Sequence, residues 1–546
     1  MTAAAETTAP ALAEAPEVNP RRWAVLGVLC FSLLVIGIDN TILNVAIPTI
    51  SRDLGATSGQ LQWMIDSYTL IFAGLLLVAG SLGDRFGRKG ALAIGLLIFG
   101  AGSVLSALTS TPGQLIVTRG IMGIGAAFIM PTTLSIITNV FPASERPKAI
   151  AVWAGFSALG IAIGPVTGGF LLEHFWWGSV FLVNVPVVIV ALVLGHFMVP
   201  TSKDPAAPRV DWVGAALSVT GLVTVVYAII EAPGWGWTSP RTLGTAALGA
   251  VVVTAFVAWE RRCAEPMLDV TVFKNRRFSG ASIAITLVFF AMLGSMFLNS
   301  QYLQFVLGYD ALSAGLAITP VALSIVVFAQ IGIRLAARIG TRPVVALGFL
   351  GVAASMLVLA TVGVDSGYTP ILVSILLLGA GMGTAMSPAT ESIMSTLPKA
   401  KAGVGSAVND TTRQIGGALG VAVLGSVFAS YYVNHLGAAV TGLPPEAAQA
   451  ARDSIAGALH AAQAIGGERG GALAAAAMQA FVDAKNVAVV VGAVVAGLGA
   501  VVAAVFLPSR ARPGDEDASG DADLESDDLE SADPGSALDA ELEVAT

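Results

Sequence analysis

Six ionisable side chains lie inside long apolar stretches of this 546-residue chain, where a charge is costly unless it is paired or hydrated. A buried carboxyl group can bind and release a proton as its access to water changes, and a nearby arginine favours the ionised form. Four acids and two arginines in such positions therefore predict proton-coupled chemistry or recognition of a charged ligand. They are Asp39, Asp66, Glu391, Asp410, Arg119 and Arg413.

Three of these residues are expected at one depth. At about 1.5 Å of rise per residue, Asp39, Asp66 and Arg119 all fall in one layer of the outer half of the bilayer. If their helices face one another, two carboxyl groups and one guanidinium form a titrating cluster. The alternative is a static ion pair that only sets the helix register.

The other three residues lie late in the chain. Asp410 and Arg413 are three positions apart on one helix, so they are expected to pair, near the midplane where transporter sites tend to lie. Asp410 is therefore a candidate for contact with a substrate or a proton. Glu391 is nearer a helix end, where extension toward basic loop residues explains it equally well.

The elements that must position these residues are membrane-spanning helices. The chain is 55% hydrophobic and only 12% charged, and its mean hydropathy is +0.79, values that exclude an ordinary soluble protein. About 20 apolar residues cross a bilayer as a helix. Fourteen such runs are present, over 23–48, 60–81, 90–108, 114–140, 148–172, 178–199, 211–231, 242–259, 278–306, 313–336, 342–362, 369–396, 402–431 and 485–507.

The basic residues predict the orientation. Of the 28 Lys and Arg, 21 fall in connections that share one side of the membrane, and five fall on the other side, Lys485 among them. This asymmetry predicts that both termini are cytoplasmic. Arg outnumbers Lys by 21 to 7 and alanine is abundant, which is typical of a GC-rich bacterial genome, so we expect a multi-pass protein of a bacterial cytoplasmic membrane.

One basic turn occurs twice, which indicates an internal duplication. The first copy, GSLGDRFGRKG at 80–90, corresponds to GIRLAARIGTRP at 332–343, with Arg85 matching Arg338 and Gly87 matching Gly340. Duplicated helical halves are typical of solute transporters. The predicted organisation is a disordered cytoplasmic segment 1–20, a six-helix bundle 21–202, a two-helix insertion 203–262, a second bundle 263–508 with a long external loop 432–484, and an acidic disordered cytoplasmic tail 509–546.

Several motifs resemble those of the drug:proton antiporters of the major facilitator superfamily, in the class with fourteen spans. The resemblance covers about 20–510. Besides GSLGDRFGRKG, it rests on DNTILNVAIP (39–48), LIVTRGIMGIGAA (115–127), GIAIGPVTGGFL (160–171), WWGSVFLVNVP (176–186) and GVGSAVNDTTRQIGGALG (403–420).

The resemblance implies an all-α integral membrane protein with the major facilitator fold: two six-helix bundles plus two extra central helices. It implies alternating access and proton-driven export of lipophilic, cationic drugs or biocides. By this resemblance, proton coupling would involve Asp39, Arg119 and Asp66, and the substrate cavity would be lined by Asp66, Asp410, Asn44 and Glu391. A conformational latch would consist of Gly80, Asp84, Arg85, Gly87 and Arg88. The antiporter motif would consist of Gly160, Gly164, Pro165, Gly168 and Gly169.

Other functions are weighed against this one. A dedicated exporter of one endogenous antibiotic or natural product would carry the same motifs and stays open. A membrane-embedded enzyme would need a clustered His or acidic catalytic motif, which the sequence lacks, and no nucleotide-binding loop or metal-ligand spacing is present. We therefore expect a monomeric transporter without cofactors. The proton motive force drives it, and its partners are membrane lipids, protons and an amphipathic small molecule, not nucleic acid.

Overall fold

The computed structural model describes residues 20–142, 145–203, 210–394, 396, 402–437 and 439–507. These residues form eighteen α-helices and no strand. The helices are α1 (Arg22–Leu54), α2 (Ser58–Phe86), α3 (Arg88–Ala107), α4 (Pro112–Val140), α5 (Arg146–His174), α6 (Ser179–Leu182), α7 (Asn184–Met198), α8 (Trp212–Trp235), α9 (Pro240–Glu260), α10 (Arg276–Gln301), α11 (Ala311–Ile318), α12 (Pro320–Ile339), α13 (Thr341–Ala360), α14 (Tyr368–Met394), α15 (Ala402–Leu436), α16 (Pro445–Asp453), α17 (Ile455–Ile465) and α18 (Gly467–Phe506).

Fourteen crossings follow from these helices. Thirteen segments of the described chain are long and apolar enough to cross a membrane, with α6 joined to α7 and α11 joined to α12. The fourteenth crossing is α5, which is 29 residues long, as are α2 and α4. Some of its side chains lie outside the described residues. Thirteen and one make the fourteen predicted spans, and the all-helical membrane architecture is confirmed.

Short turns with ordinary capping chemistry join the helices. Gly55 ends α1 with φ 61, and Thr57 begins α2 with a capping box completed by Gln60. The repeated basic turn is built around glycine in both copies, since Gly87 has φ 129 and Gly340 has φ 94. These conformations strain other residues, so the two aligned turns share a physical requirement as well as a sequence.

Each half of the molecule is a bundle of six crossings. In the first half α1 packs on α5, and α4 packs on α2 and α3; in the second half α14 packs on α12 and α13, and α10 packs on α15. The insertion is asymmetric. Its helix α8 packs on α9, on α2 and on α15, and so touches both halves, whereas α9 is largely exposed at the periphery.

The last crossing begins earlier than the sequence predicts. The expected span starts at 485, but α18 runs without interruption from Gly467. The segment 432–484 therefore holds the end of α15, two short helices (α16 and α17) and the first turns of α18. As a result Lys485, expected in an external connection, lies in the middle of a helix and is completely buried.

The two halves meet along a seam that is closed at one end. We call the end with the 86–88 turn the motif face and the other end the opposite face. Side-chain hydrogen bonds cross the seam from Gln304 Nε2 to the Val45 carbonyl (2.9 Å) and from Ser426 Oγ to Gln62 Oε1 (3.3 Å). Ser58 Oγ also donates to the carbonyl of Asp453, at the end of α16 (2.9 Å). All three bonds lie toward the opposite face.

Candidate functional site

A buried ion pair joins α1 and α4. Arg119 Nη1 lies 2.5 Å from Asp39 Oδ2, and the two side chains are 2% and 0% exposed. Arg119 Nε also donates to the Met64 carbonyl (3.0 Å), and its guanidinium lies 4.4 Å from the centre of the Tyr68 ring. The pairing of Asp39 and Arg119 expected from their depth is thus present. Three groups from α1 and α2 surround one guanidinium, so its position is closely defined.

An asparagine completes the coordination of the carboxylate. Asn184, at the start of α7, donates through Nδ2 to Asp39 Oδ1 (3.4 Å) and to Ser103 Oγ (3.3 Å). Asn184 was not among the site residues predicted from the sequence. The available signal was its place in the motif WWGSVFLVNVP, because a buried asparagine side chain needs hydrogen-bond partners.

Glycines of α5 pack against the part of α1 that carries Asp39. A Cβ at Gly160 would lie 2.9 Å from Gly37 Cα, one at Gly164 would overlap Thr41, and one at Gly168 would lie 2.6 Å from Ile42. The one-face packing expected from the four-residue spacing is therefore observed. The backbones of α1 and α5 approach so closely that Asp39 cannot shift without moving α5.

The same helix reaches across the seam to the second half. A Cβ built on Gly169 would overlap Leu312 of α11, and one built on Gly315 would overlap the carbonyl of Pro165. The antiporter motif thus has two contacts: one side faces the Asp39 segment, and its end faces α11. A movement of α1 near Asp39 can therefore be transmitted through α5 to α11, at the closed end of the seam.

Asp66 lies apart from this ion pair. Met64 and Tyr68 contact Arg119, and Asp66 is two residues from each, or about 200° around the helix. Asp66 instead shares one face of α2 with Gln62 and Leu70, each four residues away. Gln62 accepts a hydrogen bond from Ser426, and Leu70 packs with Ala418 of α15. A single cluster of Asp39, Asp66 and Arg119 is therefore wrong. Asp66 faces the seam because helix phase, as well as depth, decides which groups meet.

The Asp66 carboxyl group has an unusual environment. It is 0% exposed, and neither of its oxygens has a hydrogen-bond partner among the described residues. An ionised carboxylate in such a position is costly. This acid differs chemically from Asp39, whose charge is balanced by Arg119.

The remaining cavity candidates are dispersed. Arg413 Nη1 lies 3.7 Å from Asp410 Oδ1, so these two residues pair as their spacing predicts. Asn44 is buried and donates to the Asn40 carbonyl (3.2 Å), while Glu391 is exposed in the last turn of α14. Asp66 makes no hydrogen bond to Asp410, Asn44 or Glu391. The role of these residues in a substrate cavity stays a prediction.

The expected latch residues lie at the motif face. Asp84 accepts hydrogen bonds from Arg88 Nε (2.6 Å) and Ser135 Oγ (2.5 Å), which ties the 86–88 turn to α4. Gly80 packs against Pro131, and a Cβ there would lie 3.2 Å from its ring. Arg85 is exposed. These contacts stay within the first half, so a latch between the halves stays a prediction.

The second half contains a buried cation that sequence reasoning misplaced. Lys485 Nζ donates to the carbonyl of Leu359 (2.7 Å), to that of Val362 (3.4 Å) and to Asn486 Oδ1 (2.7 Å). It also lies 5.2 Å from the centre of the Tyr302 ring. Carbonyls at the C-terminus of α13 attract a cation. The lysine was missed because Asp483, Lys485 and Asn486 are polar and lie close together, which put the predicted start of the last crossing at 485.

Comparison with solved structures agrees with this architecture. The chain is similar to a bacterial homologue of the human lysosomal transporter Spinster in an inward-facing, unoccupied conformation, with a TM-score of 0.64 at 18% identity, covering 91% of this chain and 100% of that one. It is also similar to the inward-open xylose transporter XylE from E. coli, with a TM-score of 0.55 at 15% identity, covering 90% and 98%.

Sequence relatives are closer. The chain is 37% identical to the multidrug efflux pump LfrA of Mycolicibacterium smegmatis, over 80% of this chain and 87% of the relative. It is 33% identical to the methyl viologen resistance protein SmvA of Salmonella typhimurium, over 86% and 94%. It is 31% identical to the tetracenomycin C resistance and export protein of Streptomyces glaucescens, over 88% and 91%.

The family model of the Major Facilitator Superfamily matches residues 29–421, which include the ion pair, the glycine face of α5 and the repeated turns. Members of this family are transporters rather than enzymes, and the relatives are bacterial proteins named for multidrug efflux, drug resistance or export. The chain is a multi-pass inner-membrane protein and belongs to the Major Facilitator Superfamily, among its drug exporters.

Proposed function

We propose that this protein exports lipophilic, cationic drugs or biocides in exchange for protons, by alternating access between the two halves. The observation that carries the proposal is the close packing of the glycine face of α5 on the α1 segment that carries Asp39, the partner of Arg119, together with the contact of α5 with α11 across the seam. The names of LfrA and SmvA support a drug as the substrate.

The orientation of the chain identifies the conformational state. We infer that the motif face is cytoplasmic, with both termini on that side, because the sequence predicts 21 of the 28 basic residues in connections on this side. The seam closed at the opposite face then corresponds to an inward-facing state. Both similar solved structures described above are inward-facing or inward-open as well.

Coupling needs a group whose charge changes during the cycle, and Asp39 is suited to it. Protonation of Asp39 removes the charge that holds Arg119 and so weakens the pair, while the bond of Arg119 to Met64 and its contact with Tyr68 remain. Because α1 and α5 are packed backbone to backbone at this level, the change reaches the α5–α11 contact. Proton binding and seam opening are thereby linked.

Asp66 supplies a second link. Closing the seam buries its carboxyl group without a partner among the described residues, which an ionised form resists. A neutral Asp66 therefore fits the closed opposite face, and an ionised Asp66 fits an open, hydrated seam or a bound cation. In this scheme no cofactor is needed. The membrane potential contributes about 2.3 kcal/mol per charge per 100 mV.

A second candidate is a dedicated exporter of one endogenous antibiotic. The names of two relatives favour it: the tetracenomycin C resistance and export protein, and the puromycin resistance protein pur8 of Streptomyces alboniger. Both functions use the same fold and the same ion pair. They differ in the range of substrates that the protein carries. In either case we propose that the protein acts as a monomer.

Efflux of ethidium, a fluorescent lipophilic cation, tests the proposal in cells. Wild-type protein is expected to give efflux that a protonophore abolishes, and Asp39→Asn is expected to abolish it at equal membrane expression. Asp53→Asn is the matched control, because Asp53 is an exposed acid on the same helix. Efflux that survives both the protonophore and Asp39→Asn would contradict proton coupling. Absence of ethidium efflux from the wild type would favour the dedicated exporter.

A further inference from the structure

A groove lies between α3 and α7 at the motif face, away from the ion pair and the seam. Its volume is about 140 Å³. Apolar side chains form its walls, and its two polar residues stand at the end nearest the motif face. The groove is lined by Lys89, Leu92, Ala93, Leu96, Ala191, Leu192, Gly195, His196 and Val199.

The groove opens toward lipid. Large apolar side chains beside it are exposed: Leu97 on α3 is 57% exposed, and Val193 and Phe197 on α7 are 50% and 75% exposed. Both helices are membrane crossings. Exposed apolar residues on such helices contact acyl chains, so the groove is an indentation in the lipid-facing surface.

A cationic site stands at the mouth of the groove. Lys89 Nζ donates to the carbonyl of His196 (2.5 Å), which uses one of its three donors. Lys89 also belongs to the first turn of α3, where Gly87 is the N-cap and no side chain caps the helix. A lysine and the N-terminus of a helix both attract phosphate.

The floor of the groove has room for a chain. A Cβ built on Gly195 would have Val28 as its nearest neighbour, at 3.8 Å, which is ordinary contact distance. Glycine at this position therefore leaves space that a larger side chain could occupy without a clash. An apolar groove that leads to a cation at the membrane boundary matches a phospholipid in shape and charge.

We propose that this groove binds an anionic phospholipid, with one acyl chain between α3 and α7 and the phosphate on Lys89. The bound lipid would tie α7 to the start of α3, next to the 86–88 turn. The proposal does not depend on what the protein transports. It predicts that headgroup charge and acyl chain both contribute to binding.

Native mass spectrometry of the purified protein tests this proposal, with phosphatidylglycerol and phosphatidylcholine of equal chain length added to the detergent. Wild-type protein is expected to retain one phosphatidylglycerol in preference to phosphatidylcholine. Lys89→Gln is expected to weaken retention about tenfold, as a lost charge-assisted bond implies. Gly195→Leu is expected to do the same by filling the groove.

Lys148→Gln is the control, because Lys148 is an exposed lysine near the start of α5 at the same face. Excess inorganic phosphate should not displace the lipid if the acyl chain is bound. Equal retention of both lipids, or unchanged retention in Lys89→Gln, would overturn the proposal, as would displacement by inorganic phosphate alone. If Gly195→Leu does not fold, the comparison of Lys89→Gln with Lys148→Gln still decides.

Discussion

Gly315 on α11 packs directly against the backbone carbonyl of Pro165 on α5, across the seam between the two halves. Gly169, one turn further along α5, faces Leu312 of the same short helix. The seam at the opposite face is therefore closed by backbone contacts, and it closes only because side chains are absent there. The closed state is thus sensitive to single methyl groups at positions that carry no charge.

Gly315→Val is expected to prevent this closure. Overpacking of this kind costs about 1–3 kcal/mol, which shifts a two-state equilibrium by about 5- to 150-fold. Spin labels at Asp53 and Thr441, exposed positions of the two halves near the opposite face, should move apart in the variant. Gly367→Val is the control, since nothing lies within 4 Å of a Cβ at Gly367. An unchanged distance distribution in Gly315→Val would show that this contact does not limit closure.

Asp66→Asn is expected to favour the closed opposite face. The amide cannot ionise, so the cost of burying a charge in the seam disappears, although its polar atoms still need partners. The same spin-label pair should report a narrower, shorter distance distribution in the variant than in the wild type, above all at high pH. Asp53→Asn, measured at another label position on the α1–α2 connection, serves as the control. A shift of Asp66→Asn toward open distances would contradict the role given to this acid.

Lys485→Met is expected to lower stability without changing recognition of substrate. Methionine keeps most of the volume but leaves the carbonyls of Leu359 and Val362 without this donor, at a cost of about 1–3 kcal/mol. Thermal unfolding in detergent should show a lower Tm, while the KM for ethidium stays the same. Lys274→Met, at an exposed position, should change neither. A changed KM with an unchanged Tm would instead place Lys485 in the transport path.

The link between Glu145 and α1 is expected to weaken only in acid. Arg22 Nε lies 2.7 Å from Glu145 Oε2, and this hydrogen bond lowers the pKa of Glu145. The stabilisation is therefore complete above the usual pKa of glutamate, about 4.3, and is lost as the pH falls below it. Wild type and Glu145→Gln should differ in Tm at pH 7 and converge below about pH 4. A Tm difference that grows on acidification would contradict this sign.

The sequence was sufficient for the fold and for the central ion pair. Long apolar runs predict crossings, and the depth of Asp39 and Arg119 along their helices predicts that they meet. The sequence was insufficient to predict the neighbours of Asp66. Depth gives the position of a residue along a helix but not around it, and the partner helices decide which face is buried. Lys485 was misplaced for a different reason. Charged residues and glycines between 466 and 485 interrupt the apolar run, although the alanine-rich residues at 472–477 favour a helix.

Proton flux through reconstituted protein tests the central claim most directly. In proteoliposomes with a pH-sensitive dye inside, addition of ethidium to wild-type protein should move protons and ethidium in opposite directions. Asp39→Asn should still exchange labelled for unlabelled ethidium at equilibrium but should move no protons. That result would place Asp39 in the coupling path. Proton movement in Asp39→Asn equal to that of the wild type would contradict the account, because the Asp39–Arg119 pair would then be only a structural contact.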